Sequence, residues 1–196
     1  MIPTRTRKGK GYFKMEIQQA IELRRSIRAY GDQPVEREKL EAVLRAGNQA
    51  PIFGRLHMSV FAGPEQLQAV DAAAVAGMAR SGVPFLENLA AQEGYHPLYG
   101  AAALVVLSAP GGLDEKGFNM ANVSCAAENM LLAAAGLGLG SCFLMGPMAA
   151  FSDPALRARL ELPGGYEPLV GVALGYAAPE RPAAPERTDA GITWCR

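Results

Sequence analysis

The feature that most constrains this chain is the run from residue 118 to 138, which reads as one long helix that is apolar on nearly every side. A helix on a protein surface carries a single apolar stripe, so one that is apolar all round belongs in the middle of a core. Asn119, Asn122, Ser124, Glu128 and Asn129 interrupt the run. Polar and charged side chains are costly in hydrocarbon, so these residues argue against a membrane span. Asn119, Asn122 and Asn129 share a face, and buried amides need partners. They are expected to bond one another, backbone groups or a partner subunit.

The rest of the pattern supplies what such a helix packs against. Helical spacing is read over 16–25, with Ile17, Ala20, Ile21 and Arg24, and over 35–46, with Leu40, Val43 and Leu44 on the apolar face and Gly47 as its C-terminal cap. Pro64 opens a further helix to about Arg80, and Pro154 a short one to about Leu160. Strands are expected at 58–61, 103–107, 141–145 and 169–175, with a last one over 191–195. Residues 81–99 read as irregular, and 177–189, rich in Pro and Ala, as an extended surface segment. Helices and strands mix and the connections between strands are long. The expected fold is therefore α+β, with helices on a central mixed or antiparallel sheet around the long buried helix. At 196 residues, the chain divides into a basic N-terminal arm (1–15) and one domain (16–196).

Charge and residue usage narrow the function. Basic and acidic residues balance at 19 each, which argues against a broad nucleic-acid or acidic-membrane surface. The arm does gather Arg5, Arg7, Lys8, Lys10 and Lys14; it reads as flexible or partner-hugging, with a nucleic-acid arm the lesser reading. Cys125, Cys142 and Cys195 form no CxxC pair, and the start shows no apolar signal region, so a reducing cytoplasm is expected. With only His57 and His96, and with no GxSxG, HExxH or P-loop, hydrolase, metalloenzyme and kinase readings lose their key residues.

Two short segments carry candidate chemistry. In Arg24-Arg25-Ser26-Ile27-Arg28, a helix ends and an extended chain follows. Alternate residues of an extended chain share a side, so Ser26, Arg28 and Tyr30 project together, with Arg24 just before them. Guanidiniums and a hydroxyl brought together suit a phosphate. The same arginines also suit a plain helix C-terminus with solvated heads. Leu144-Met145-Gly146-Pro147 closes a buried strand, either as a simple exit or as the border of a ligand cleft where Gly146 admits a flat ligand. The glycines at 136, 138 and 140 close a helix and open a strand, the reverse of a dinucleotide fingerprint, and read as a helix stop.

Three stretches resemble the nitroreductase-like flavoproteins, in order and in separation, over roughly 16–194. Arg24-Arg25-Ser26-Ile27-Arg28-Ala29-Tyr30 is similar to their N-terminal Arg-x-Ser-x-Arg-x-(Tyr/Phe) signature. Glu128 through Ser141 is similar to their central helix and its exit, and Pro168 through Tyr176 to their late core strand. The resemblance implies FMN at the interface of an intertwined homodimer, with hydride passing from NAD(P)H through the flavin to a small flat electrophile, a nitroaromatic or quinone. It places Arg24, Arg25 and Ser26 at the phosphate and ribityl chain, Arg28 at the pyrimidine edge, and Leu144, Met145 and Gly146 along the ring. Arg187 would close on the phosphate, and Pro51, Ile52 and Arg55 would come from the other subunit. The flavin would carry the redox step, so no catalytic side chain is required of the protein.

One place departs from the pattern. Many relatives have Ala-Pro-Ser and then Asn-x-Gln-Pro-Trp, whereas this chain has Ala50-Pro51-Ile52-Phe53-Gly54-Arg55-Leu56-His57-Met58-Ser59. Without those polar side chains, two alternatives to nitroaromatic or quinone reduction stand: a flavin-binding protein with little turnover, and a specialised flavin chemistry such as dehalogenation or ring oxidation.

Overall fold

The computed structural model of the chain describes residues 15–111, 116–179 and 190–195. Strands β1 (His57–Ala62), β2 (Ala103–Pro110), β3 (Gly140–Leu144) and β4 (Tyr166–Gly175) form one sheet in the order β1-β2-β4-β3. Every pairing is antiparallel, so of the two expected sheet types the antiparallel one is found. β2 and the second half of β4 are buried on both faces, which explains why they read as continuous apolar runs without alternation.

Helices cover both faces: α1 (Ile17–Leu23), α2 (Arg37–Gly47), α3 (Pro64–Met78), α4 (Pro84–Ala90), α5 (Lys116–Gly136) and α6 (Pro154–Ala158), with a 3-10 helix at Gly146–Ser152. Along β2, Val105 and Leu107 point to one face and Leu104 and Val106 to the other, as the two-residue period of a strand requires. The first set packs with Val43 of α2 and with Val123, Ala127 and Met130 of α5. The second packs with Val70 and Ala74 of α3 and with Ala150 and Phe151. The expected central helix is thus α5, buried against the sheet and α2.

Its asparagines settle on backbone carbonyls. Asn119 donates to Pro110, Asn122 to Phe53 at 2.6 Å and Asn129 to Ala46 at 3.3 Å. They do not pair with one another; each ties α5 to a different neighbouring segment. Gly47 is not the cap expected of it. It is the last residue of α2, with Asn48 following as cap, and a Cβ on it would lie 2.8 Å from Cγ of Met130. Close approach to α5, not helix termination, is what holds this position to glycine.

Two other expectations change. Residues 81–99 are not wholly irregular, because α4 forms there, with Pro84 in its first turn and Glu87 accepting from the Gly82 N–H at 3.0 Å. Residues 190–195 form no strand and are exposed, Trp194 at 85%. A strand needs a neighbour to pair with, and these residues have none among the described residues. The arm at 1–14 and most of the Pro- and Ala-rich segment, including Arg187, lie outside the described residues.

Candidate functional site

The Arg24–Tyr30 segment is fixed by the edge of the sheet. α1 stops at Leu23, and Arg24 is already extended while its N–H still bonds Ala20. The chain then runs beside the start of β3: Ser26 bridges Ser141, and the Ile27 N–H donates to the Ser141 carbonyl at 2.9 Å. Beyond it, Tyr30 bridges Ala177, and Gly31 donates to Tyr176. Glycine makes the close fit possible, since a Cβ on Gly140 would lie 3.0 Å from Ile27 and one on Gly175 2.7 Å from the Tyr30 ring. Gly138, with φ of +74°, turns the end of α5 into β3, as the helix-stop reading expects.

Between this segment, α5 and β3 lies a cavity of about 380 Å³. Arg24, Arg25 and Ser26 line it, together with Ser141, Cys142 and Phe143 of β3 and Ser124, Glu128 and Leu131 of α5. Spacings of four and seven residues put Ser124, Glu128 and Leu131 on one side of the helix. That spacing was visible in the sequence, where Ser124 and Glu128 stood as interruptions of an apolar run and were not read as site residues. Arg24 Nε lies 3.0 Å from Glu128 Oε1, within ion-pair reach. The N–H is not aimed at the carboxylate, however, so this buried nitrogen has no hydrogen-bond acceptor among the described residues.

Arg28 does not line the cavity, but it sits beside it. It is exposed, and its charge acts on Cys142, Tyr30 and Tyr95. Burial raises the Cys142 thiol, with Arg28 and a hydrogen bond from Ser26 pulling the other way, so the thiol stays protonated. Burial likewise raises the Tyr30 phenol. Tyr95 is pushed up to about 12, first by burial and then by its neighbour Tyr99, so its phenol stays protonated. Ser26, Arg28 and Tyr30 thus all lie within electrostatic reach of Cys142, but of the three only Ser26 lines the cavity.

The other expected residues stand apart from the cavity. Leu144 has its side chain in the core, at 6% exposure, so only its backbone can border a ligand. Met145 is exposed, and Gly146 opens the 3-10 helix. A Cβ on Gly146 would make only ordinary contacts with Met78 and Leu86, so packing within the chain does not demand glycine there. From Ser141 to Met145 is four strand steps, about 13 Å at roughly 3.3 Å each. Pro51, Ile52 and Arg55 lie on a surface loop and do not line the cavity of their own chain. Asn122 holds that loop by accepting from the Phe53 N–H at 3.1 Å and donating back to its carbonyl.

A second hollow, more open and of about 640 Å³, lies between the end of α2 and the start of β1 and includes none of the expected residues. Among the described residues no cluster of His, Cys, Asp and Glu could hold a metal ion, and no helix is long and apolar enough to cross a membrane.

The profile of the Nitroreductase family matches residues 21–176. The chain belongs to the nitroreductase family. A curated relative, an inferred NADH dehydrogenase/NAD(P)H nitroreductase of Archaeoglobus fulgidus, is 31% identical over 171 residues, covering 85% of this chain and 88% of the relative. A nitroreductase of Bacteroides fragilis, solved with bound FMN, superposes with a TM-score of 0.80 at 29% identity, over 93% of this chain and all of that one. A nitroreductase of Desulfitobacterium hafniense with bound FMN shares the fold, with a TM-score of 0.75 at 23% identity over 89% of this chain and 98% of that one. As a nitroreductase-family protein, this chain is in broad class an oxidoreductase.

Proposed function

We propose that this protein is an FMN-dependent oxidoreductase that uses NAD(P)H to reduce a small, flat acceptor, a nitroaromatic or a quinone. The observation that carries the reading is the pair of guanidiniums with a serine hydroxyl in one cavity, one guanidinium offering a buried N–H without an acceptor. A buried donor left without a partner is costly, and a phosphate oxygen is a partner of the right charge. The structures of FMN-bound relatives support the choice of ligand, and the name of the Archaeoglobus relative supports the choice of donor.

Arg24 and Arg25 would hold the phosphate and Ser26 would donate to it or to the ribityl chain. Met145 and Gly146, about 13 Å along β3 from Ser141, would border the ring with main-chain groups, a separation an elongated nucleotide can bridge. Arg28 would lie at the pyrimidine edge, where a fixed cation stabilises negative charge gained on reduction. Arg187 is proposed as a further phosphate cation on the sequence likeness alone. FMN, when bound, supplies the centre that takes hydride from NAD(P)H and gives it to the acceptor. We assign the protein to a homodimer in which Pro51, Ile52 and Arg55 of one copy face the site of the other. The exposed apolar side chains of α1 (Ile17, Ile21 and Leu23) fit such burial.

The test is anaerobic mixing of the FMN-loaded protein with NADH and, separately, with NADPH. Bleaching of the flavin band, reversed by a quinone, is expected with at least one donor. A flavin that stays oxidised with both would refute the reductase reading and leave a flavin-binding protein with little turnover.

A further inference from the structure

Glu128 is out of place in a cavity meant for an anion. Its carboxylate shares the space with Arg24 and Arg25, where it attracts the guanidiniums and would repel a phosphate bound a few ångströms away. Among the described residues Arg24 is its only ion-pair partner, at 3.0 Å. Two facts make this contact easy to open. The N–H does not point along it, so no hydrogen bond is lost with it. The glutamate side chain is 46% exposed and the arginine 21%, so the carboxylate can turn to water while the guanidinium stays in the wall.

We propose that Glu128 is a built-in competitor for Arg24, which the phosphate of an incoming ligand must displace, so that Glu128 sets how weakly or tightly the cavity holds a phosphorylated ligand. The inference rests on the FMN reading above. It has a distinctive consequence. Removing the carboxylate strengthens binding of the phosphorylated flavin and leaves that of riboflavin, which has no phosphate, unchanged. The effect is electrostatic and fades with salt.

The experiment compares FMN and riboflavin titrations, followed by flavin fluorescence, of flavin-free wild type, Glu128→Gln, Glu128→Ala and Arg24→Ala, each checked for folding by circular dichroism. Glu128→Gln keeps the shape and removes the charge. FMN should bind it about 3- to 10-fold more tightly at low ionic strength. Riboflavin affinity should stay at the wild-type value, and the FMN gain should shrink towards none as salt is raised. Glu128→Ala should reproduce the gain within a factor of about two. If it does not, the gain comes from the new amide and not from the lost charge, and the proposal fails.

Weaker or unchanged FMN binding in Glu128→Gln would also overturn it, making Glu128 a support for Arg24 or a bystander. Arg24→Ala separates this failure from that of the underlying reading. If Arg24→Ala weakens FMN and Glu128→Gln changes nothing, only the competitor role is lost. If Arg24→Ala binds FMN as wild type does, the phosphate is elsewhere and both readings fall.

Discussion

Arg24, Arg25 and Ser26 reach their cavity from a segment anchored at both ends within the chain, whereas the loop Pro51–Arg55 stands on the surface, hydrogen-bonded across to the fold, among the described residues, at Phe53. The first region is bonded by its backbone to Ala20 at one end and to Ser141 at the other. Its side chains meet α5 and β3 without help from outside. In the second, Asn122 fixes one residue from both sides and the Phe53 ring is left 85% exposed. The difference separates what one chain completes from what it only presents. The cavity beside Arg24 is formed within a single copy, while the loop offers exposed surface, which we propose faces a second copy.

The comparison breaks most readily at the arginines. Replacing both Arg24 and Arg25 by alanine should lower FMN affinity at least about 100-fold, since each charge-assisted bond is worth roughly 1.5–3 kcal/mol. Loss of flavin during gel filtration is the readout, and a double variant that elutes yellow would show that the cations are not the anchor. Asn122→Ala should act on the other region. It removes two hydrogen bonds to Phe53 and should cost about 1–2 kcal/mol of stability in a denaturant titration, with phosphate affinity unaffected. An equal fall in FMN affinity measured on the folded protein would mean that the two regions are one site.

Ser26→Ala should weaken FMN less, by about 0.5–1.5 kcal/mol, the worth of one neutral hydrogen bond to the ribityl chain. Phe53→Ala should change the stability of the isolated chain by no more than about 0.5 kcal/mol, because the ring is exposed. Its sharper use is in sedimentation: weaker self-association would assign the ring to an interface between copies.

The two regions also differ in how far the sequence exposed them. The alternation of Ser26, Arg28 and Tyr30 is a local property of extended backbone; all three act on Cys142, although only Ser26 reaches the cavity. The apolar runs of β2, β4 and α5 were equally legible, because burial on several sides leaves its mark on every residue. What escaped was decided by distant partners. Glu128 became a cavity residue only when α5 came to lie beside α1, and Gly47 owes its identity to Met130, far along the chain. α4 is only seven residues long, too short for a clear period among the Gly and Pro around it. The strand expected over 191–195 depends on a neighbour that these residues do not have among the described residues. The Pro51–Arg55 loop departs from the family pattern, and no local rule says what Phe53 does there.

The central claim is that the cavity beside Arg24 holds the phosphate of FMN. It is tested most directly by titrating wild type and Arg24→Ala with FMN and with riboflavin. Loss of one charge-assisted contact should weaken FMN about 10- to 150-fold and leave riboflavin unchanged. Equal affinities for FMN in the two proteins, or equal losses for both flavins, would contradict it.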